Sequence, residues 1–207
     1  IKYYGERLIK KTNFKLRKKF LKRNLWCAAS THEGEELEIG KMHKKLKLLN
    51  KKLLTIIIPR HVSRKKSILK NLKEINLNVS MHSSLEKIDN NTDIYLVDTY
   101  GDALNFYNLT KLVFMGGSLI PHGGQNPLEP ARLGNFIIYG PYVDNFKEVY
   151  KLLKNLKLAH KINKISQIKD IVNKKINYNK ENNKINKLYS LGEKNLINSI
   201  NELNKYF

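Results

Sequence analysis

The stretch VFMGGSLIPHGGQNPLEPAR, residues 113–132, decides how the rest of the chain is read. An apolar run at 112–115 stops at Gly116-Gly117-Ser118, and after a short loop a second pair, Gly123-Gly124, leads into Gln125-Asn126-Pro127-Leu128-Glu129-Pro130. That order predicts a strand, a glycine loop and a helix start. Glycines behind a parallel strand let the backbone turn sharply and approach a ligand, and the N–H groups of a following helix N-terminus favour negative charge. The arrangement suits a phosphate. Asn126 also fits the helix cap, Pro127 the first helical position and Glu129 the acid of a capping box, so structural duties alone account for Asn126 and Glu129.

Outward from this stretch, strand-like and helix-like patterns alternate. Upstream, short apolar runs at 25–29, 53–58, 79–82 and 94–97 predict strands, and residues 1–4 predict another. Between them, Ile39, Met42, Leu46 and Leu49, then Ile68, Leu69, Leu72 and Ile75, recur at helical spacing. Residues 13–23 predict a basic helix offering Phe14, Phe20 and Leu21 to the core, and a short helix runs through Leu104 and Tyr107. Downstream, 136–139 predicts a strand, 145–153 and 166–172 helices, and 158–162 an edge strand. Residues 174–207 are rich in Lys and Asn but place Ile185, Leu188, Tyr189, Leu196, Ile200 and Leu203 near helical spacing, which predicts a long terminal helix. The expected fold is one α/β domain over 1–207 with a doubly wound parallel sheet.

Polar residues gather where the strands end. Ser30-Thr31-His32, Pro59-Arg60-His61, Asp98-Thr99, Gly116-Gly117-Ser118 and Gly140-Pro141 each follow a predicted strand. In an open parallel sheet these ends share one edge, where ligands bind. Arg60, the glycine loop and two helix starts, after Ser30 and at Asn126, predict a crevice for an anionic, phosphorylated ligand. Neither a Walker A sequence nor G-x-G-x-x-G is present, which points to a mononucleotide or nucleotide sugar rather than an NTPase or dinucleotide substrate.

Other chemistries fit the residues less well. Ser30 and Glu33 have capping-box spacing, Asp102 is placed to cap its helix, and Ser118 lies outside a G-x-S-x-G elbow. His32, His61 and His122 each stand alone in their loops without a partner at metal-ligand spacing, so no metal or other cofactor is expected. Cys27, the single cysteine, sits in an apolar run and excludes a disulfide within the chain. Lys+Arg 39 against Asp+Glu 18 gives a net charge of +21. The joint excess of Lys, Asn and Ile matches AT-rich codon usage, and the lysines are spread along the chain, so no specific nucleic-acid surface is expected. No apolar run reaches the ~18 residues of a membrane span, and no signal peptide is recognisable.

WCAASTHEGEE at 26–36, IIPRH at 57–61, DTYGDALNFY at 98–107, FMGGSLIPHGGQNPLEPA at 114–131 and GPYVDNFKEV at 140–149 together resemble the 3-deoxy-D-manno-octulosonic acid (Kdo) transferase family. The likeness runs in order from about Gly5 to Val149 and fades over the tail. It implies the C-terminal, Rossmann-like half of a GT-B glycosyltransferase that moves Kdo from CMP-Kdo onto a lipid A precursor at the cytoplasmic face of the bacterial inner membrane. It further implies that Arg60, Ser30 and Thr31 neutralise donor anions, that Gly116, Gly117 and Ser118 lie against the phosphate, and that Asn126 and Glu129 position phosphate and ribose. Gln125 departs from the histidine often found there.

On the same likeness the general base, the membrane anchor and most of the acceptor site belong to an N-terminal half not contained in these 207 residues. The first residue is Ile1, so a fragment that binds donor but transfers nothing alone is expected. Two other readings stand beside this one: a GT-B enzyme using a UDP-sugar, and a basic RNA-binding module. A basic cluster at Lys10, Lys11, Lys15, Arg17, Lys18, Lys19, Lys22 and Arg23 suits either a solvated helix face or an anionic membrane surface.

Overall fold

The computed structural model describes residues 17–18, 20–84 and 88–203, with side chains up to 192. The strand expected at 1–4 and residues 13–16 and 19 of the helix expected at 13–23 lie outside the described residues. The first strand, β1 (Asn24–Thr31), is followed by α1 (Glu35–Leu49), β2 (Leu53–Pro59), α2 (Lys65–Glu74), β3 (Val79–Met81) and β4 (Ile94–Leu96). Then come α3 (Ala103–Leu109), β5 (Leu112–Met115), α4 (Leu128–Arg132), β6 (Phe136–Tyr139), α5 (Lys147–Asn155), β7 (Ala159–Lys161), α6 (Ile168–Lys175) and α7 (Asn182–Leu203). The seven strands form one sheet in the order β3-β4-β2-β1-β5-β6-β7, and every pairing is parallel.

Such a sheet is covered on both faces, so its central strands are mostly apolar while side chains still alternate between faces. Cys27, Ala29, Ile56, Ile58, Val113, Met115, Ile137 and Tyr139 face α3, α4, α5 and α7 through Phe106, Tyr107, Ala131, Tyr150, Leu153 and Leu188. Trp26, Ala28, Ile57, Leu112, Phe114, Phe136 and Ile138 face α1, α2 and α6 through Ile39, Met42, Leu46, Ile68, Leu72, Ile168 and Val172. Cys27 is a small core residue, as expected, and Leu188 anchors the terminal helix at 2% exposure. Phe20 joins the core, whereas Leu21, expected beside it, is 68% exposed.

The strand starts are tied together at the opposite edge from the loops of interest. The Arg23 guanidinium donates to the carbonyls of Lys52, Leu53, Asp89 and Thr92 at 2.6 to 3.1 Å. Just before β4, Asp93 accepts from Lys47 and from the Asn78 N–H at 2.9 Å, and lies 3.4 Å from Nε2 of the buried His43. Burial alone would raise its carboxyl, yet the hydrogen bonds from His43, Lys47 and Asn78 bring it down to about 2.

The order in which the strands are added reverses across the sheet between β1 and β5, which are parallel hydrogen-bonded neighbours. Strands laid down after β1 extend one way and those from β5 onward extend the other. The ends of β1 and β5 therefore diverge, and a crevice opens between the loops that follow them.

Candidate functional site

Four of the five predicted loops line this crevice in the order 59–61, 30–32, 116–118 and 140–141, following β2, β1, β5 and β6. The fifth, after β4, is set to one side. There the buried Asp98 carboxylate accepts from the Ser83 N–H and hydroxyl and from Lys65, at 2.5 to 3.1 Å. The Asp102 carboxylate accepts from the Thr99 hydroxyl at 2.7 Å and the Asn105 amide at 3.3 Å, and makes no side-chain cap bond to its helix.

The expected capping box after β1 is not formed. Ser30 sits where the β1–β2 register slips between Ala29 and Thr31, at a left-handed φ of 54°. A bulge with that backbone is a turn, not a cap. The following helix begins at Glu35 behind Gly34, with no side-chain cap. Thr31 is fully buried, and its hydroxyl donates to Glu36 at 2.9 Å. Glu36 in turn takes a two-pronged contact from the Arg64 guanidinium, 3.0 Å at each oxygen. The Thr31 hydroxyl thus builds the crevice wall instead of facing a donor anion.

Glu35, which the sequence did not single out, organises the glycine loop. Its buried carboxylate accepts the Gly117 N–H at 2.9 and 3.1 Å and the His32 N–H at 2.9 Å. Burial pushes the carboxyl above the ordinary carboxylate range, opposed by N–H groups of His32, Gly117 and Leu119 and assisted by nearby Glu36. The Gly117 N–H expected at a phosphate is held by this internal acid. A side chain on Gly116 would put its Cβ 2.5 Å from the Ser30 carbonyl oxygen and 2.8 Å from the Glu35 carboxylate. Gly117 has φ +65°, and a Cβ there would lie 2.9 Å from the His32 ring. Both glycines are thus required by close packing of the protein on itself.

Ser118 is buried, donates to the Met115 carbonyl at 2.5 Å and accepts the Gly140 N–H at 2.8 Å. Its hydroxyl ties β5 to β6 and is turned away from any ligand. Asn126 accepts the Leu128 N–H at 3.0 Å in a local turn, but Pro127 occupies the cap position of α4, so neither the expected Asn126 cap nor a capping box with Glu129 forms. Glu129 is exposed on the first turn. The buried Tyr150 donates to the Gln125 carbonyl at 2.8 Å and steadies this segment.

Three histidines that stand far apart in the sequence meet at the mouth of the crevice. The rings of His32 and His122 stack at 4.5 Å with 20° between planes, and His61 meets His32 edge-on at 6.2 Å. Gln125 Nε2 lies 3.4 Å from His32 Nε2. Burial holds the His32 imidazole below its usual value, and positive charge at His122, His61, Arg60 and Arg64 holds it lower still. Arg60 is exposed at the end of β2, with its N–H bonded to the Thr31 carbonyl. The edge is thus electropositive, and the two buried acids beneath it are taken by Gly117, His32, Thr31 and Arg64. Among the described residues no three His, Cys, Asp or Glu side chains are grouped to hold a metal ion. Two depressions around Arg23 and Lys52 lie at the other edge and contain none of the predicted site residues.

No family model matches the chain. Individual proteins do. A 3-deoxy-D-manno-octulosonic acid transferase of Haemophilus influenzae is 35% identical over 141 residues, covering 68% of this chain and 33% of that protein. A bifunctional glycosyltransferase/methyltransferase of Fusobacterium nucleatum is 33% identical over 195 residues, 87% of this chain and 29% of its own length. A 3-deoxy-D-manno-octulosonic acid transferase of Aquifex aeolicus is 32% identical, covering 65% of this chain and 36% of that protein. The chain thus spans about a third of the curated relatives it matches. Among solved structures, the C-terminal CMP-Kdo binding domain of WaaA from Acinetobacter baumannii superposes with a TM-score of 0.76 at 28% identity, over 91% of this chain and 97% of that one.

The all-parallel sheet, its covering helices and the crevice at the point of reversal define the Rossmann-like C-terminal domain of a GT-B glycosyltransferase. With relatives at this identity along most of the sheet, the chain belongs to the Kdo transferase family and corresponds to its C-terminal half.

Proposed function

We propose that this chain is the donor half of a Kdo transferase: it binds CMP-Kdo, and the complete enzyme transfers Kdo to a lipid A precursor in lipopolysaccharide synthesis. The observation that carries the reading is the electropositive mouth of the crevice, where Arg60 and three imidazoles meet beside the glycine loop. In such a transfer the acceptor hydroxyl attacks the anomeric carbon and CMP leaves, so negative charge grows on the phosphate. Fixed cationic donors beside it lower the barrier.

Under this reading Arg60 faces the donor anions and Asn126 and Glu129 position phosphate and ribose. Ser30, Thr31, Gly116, Gly117 and Ser118 shape the floor through their backbone and internal bonds. The general base for the acceptor hydroxyl and the contact with the lipid acceptor come from the N-terminal half of the enzyme. No helix among the described residues is long and apolar enough to cross a membrane. The cytoplasmic face of the inner membrane is the site of action that the acceptor requires, and the anionic membrane surface is a partner the net charge of +21 suits.

The test is calorimetric titration of the chain with CMP and UDP. CMP should bind more tightly, and Arg60→Ala should weaken it roughly ten- to a hundredfold, the loss of a charged hydrogen bond of ~1.5–3 kcal/mol, with the melting temperature unchanged. Preference for UDP would move the chain to another GT-B specificity.

A further inference from the structure

We propose that His32, His61 and His122 act together as one proton-linked anion subsite, taking up a proton as they receive an anionic oxygen of the donor, from its phosphodiester or its sugar carboxylate. The proposal rests on the nucleotide-sugar reading for the identity of the ligand but not for its chemistry. Three loops deliver the rings, one after β1, one after β2 and one after β5, and two of the rings stack face to face at 4.5 Å. Neutral imidazoles tolerate that stacking. Charging one sets a cation against its neighbours.

The positive groups around His32 all act in one direction. Arg60 follows β2, and Arg64 lies in the short 3-10 turn before α2. Both add positive charge that disfavours a proton on His32. Of the acids, Glu35 is held by the N–H groups of His32 and Gly117, Glu36 by Thr31 and Arg64, and Glu33 is exposed beside His32. From β5's loop the His122 ring, the neutral Gln125 amide and Gly117 meet the His32 ring. The cluster is thus surrounded by cations whose counter-charge is spent elsewhere. An anion seated among the rings reverses that balance, the His32 proton affinity rises, and binding draws a proton from solvent. Gly117, which has no side chain to displace the ring, keeps His32 in reach of the crevice.

The experiment measures proton uptake by calorimetry in buffers of different ionisation heat, using the full chain and probes that do not themselves titrate in the range. These are the methyl ester of CMP, free Kdo and sulfate. The expected result is uptake of about half to one proton per ligand near pH 7, with affinity rising roughly three- to tenfold for each pH unit lost between about pH 7.5 and 5.5. His32→Gln should abolish the uptake, and His122→Gln, at an exposed position, should reduce it while the protein stays folded. Uptake with the CMP ester assigns the phosphodiester to the subsite, and uptake with free Kdo assigns the carboxylate. If the CMP ester binds with no proton uptake and free Kdo shows none either, the subsite falls and the nucleotide reading stands. If only sulfate binds, with uptake lost in His32→Gln, the subsite stands and the nucleotide reading falls. Uptake that persists in His32→Gln, or no proton-linked binding of any probe, overturns the proposal.

Discussion

Asp93 and Glu35 are both buried carboxylates, one at the start of the strands and one at their end, and their surroundings differ in kind. Asp93 is met by Lys47, His43 and the Asn78 N–H, and its carboxyl is held at about 2. Glu35 is met by backbone N–H groups alone, and burial raises it. One edge neutralises its charges internally and serves as the foundation of the sheet. The other uses its acid to shape backbone and leaves Arg60 and the His32 ring on the crevice side. The contrast separates a structural edge from a binding edge without reference to any ligand.

Breaking the foundation should have the largest effect. Asp93→Asn leaves Lys47 beside His43 with no counter-charge, and should cost about 2–3 kcal/mol at neutral pH by urea unfolding. A carboxyl depressed from an unfolded value of ~3.9 to about 2 contributes stability that is present above the unfolded value and lost as pH falls through the folded one. The cost of the substitution should therefore shrink from about pH 4 toward pH 2.

Glu35→Gln sharpens the comparison because its pH slope has the opposite sign. A carboxyl raised by folding takes up its proton in the native state first, so the wild type gains stability as pH falls toward the unfolded value of ~4.3, and the amide variant does not. The cost at pH 7 should be about 1 kcal/mol, the amide N–H facing the Gly117 and His32 donors, and should grow on mild acidification. Parallel slopes for the two variants would defeat the distinction between the edges.

The smallest effect is expected at Glu129. If it accepts from the ribose hydroxyls, Glu129→Gln and removal of the 2′-hydroxyl from CMP should couple by on the order of 1 kcal/mol in a double-mutant cycle, with stability unchanged. Additive losses would return Glu129 to its helix.

The sheet could be read from sequence because each central strand is buried on both faces, so runs such as 53–58 are apolar except for Thr55, which is buried and bonded to Trp26 and His43. The crevice followed from strand ends alone. Side-chain duties were harder to read, since they depend on what lies across the sheet. Ser30 looked like a cap because its spacing to Glu33 is local, while the bulge that turns it is created by pairing with β2. The hydroxyls of Thr31 and Ser118 looked available until Glu36, Met115 and Gly140 took them. The histidines looked solitary because their loops are joined only by strand order. One signal was legible: Glu33, Glu35, Glu36 and Glu38 form a dense acidic tract in a chain of net charge +21, and two of the four are buried.

The bulge at Ser30 acts as a phase shifter for the crevice wall. Alternation along β1 sends Ala29 to the face of α3 and α5, and if Ser30 were paired in the ladder Thr31 would follow it there. Because Thr31 instead pairs with Pro59, it lands on the face of α1, opposite Glu36, and His32 emerges over Gly117. A single unpaired residue thus converts the even rhythm of a strand into the odd offset that an edge needs. A regular ladder that counted Ser30 as a paired residue would turn Thr31 away from Glu36 and His32 away from Gly117.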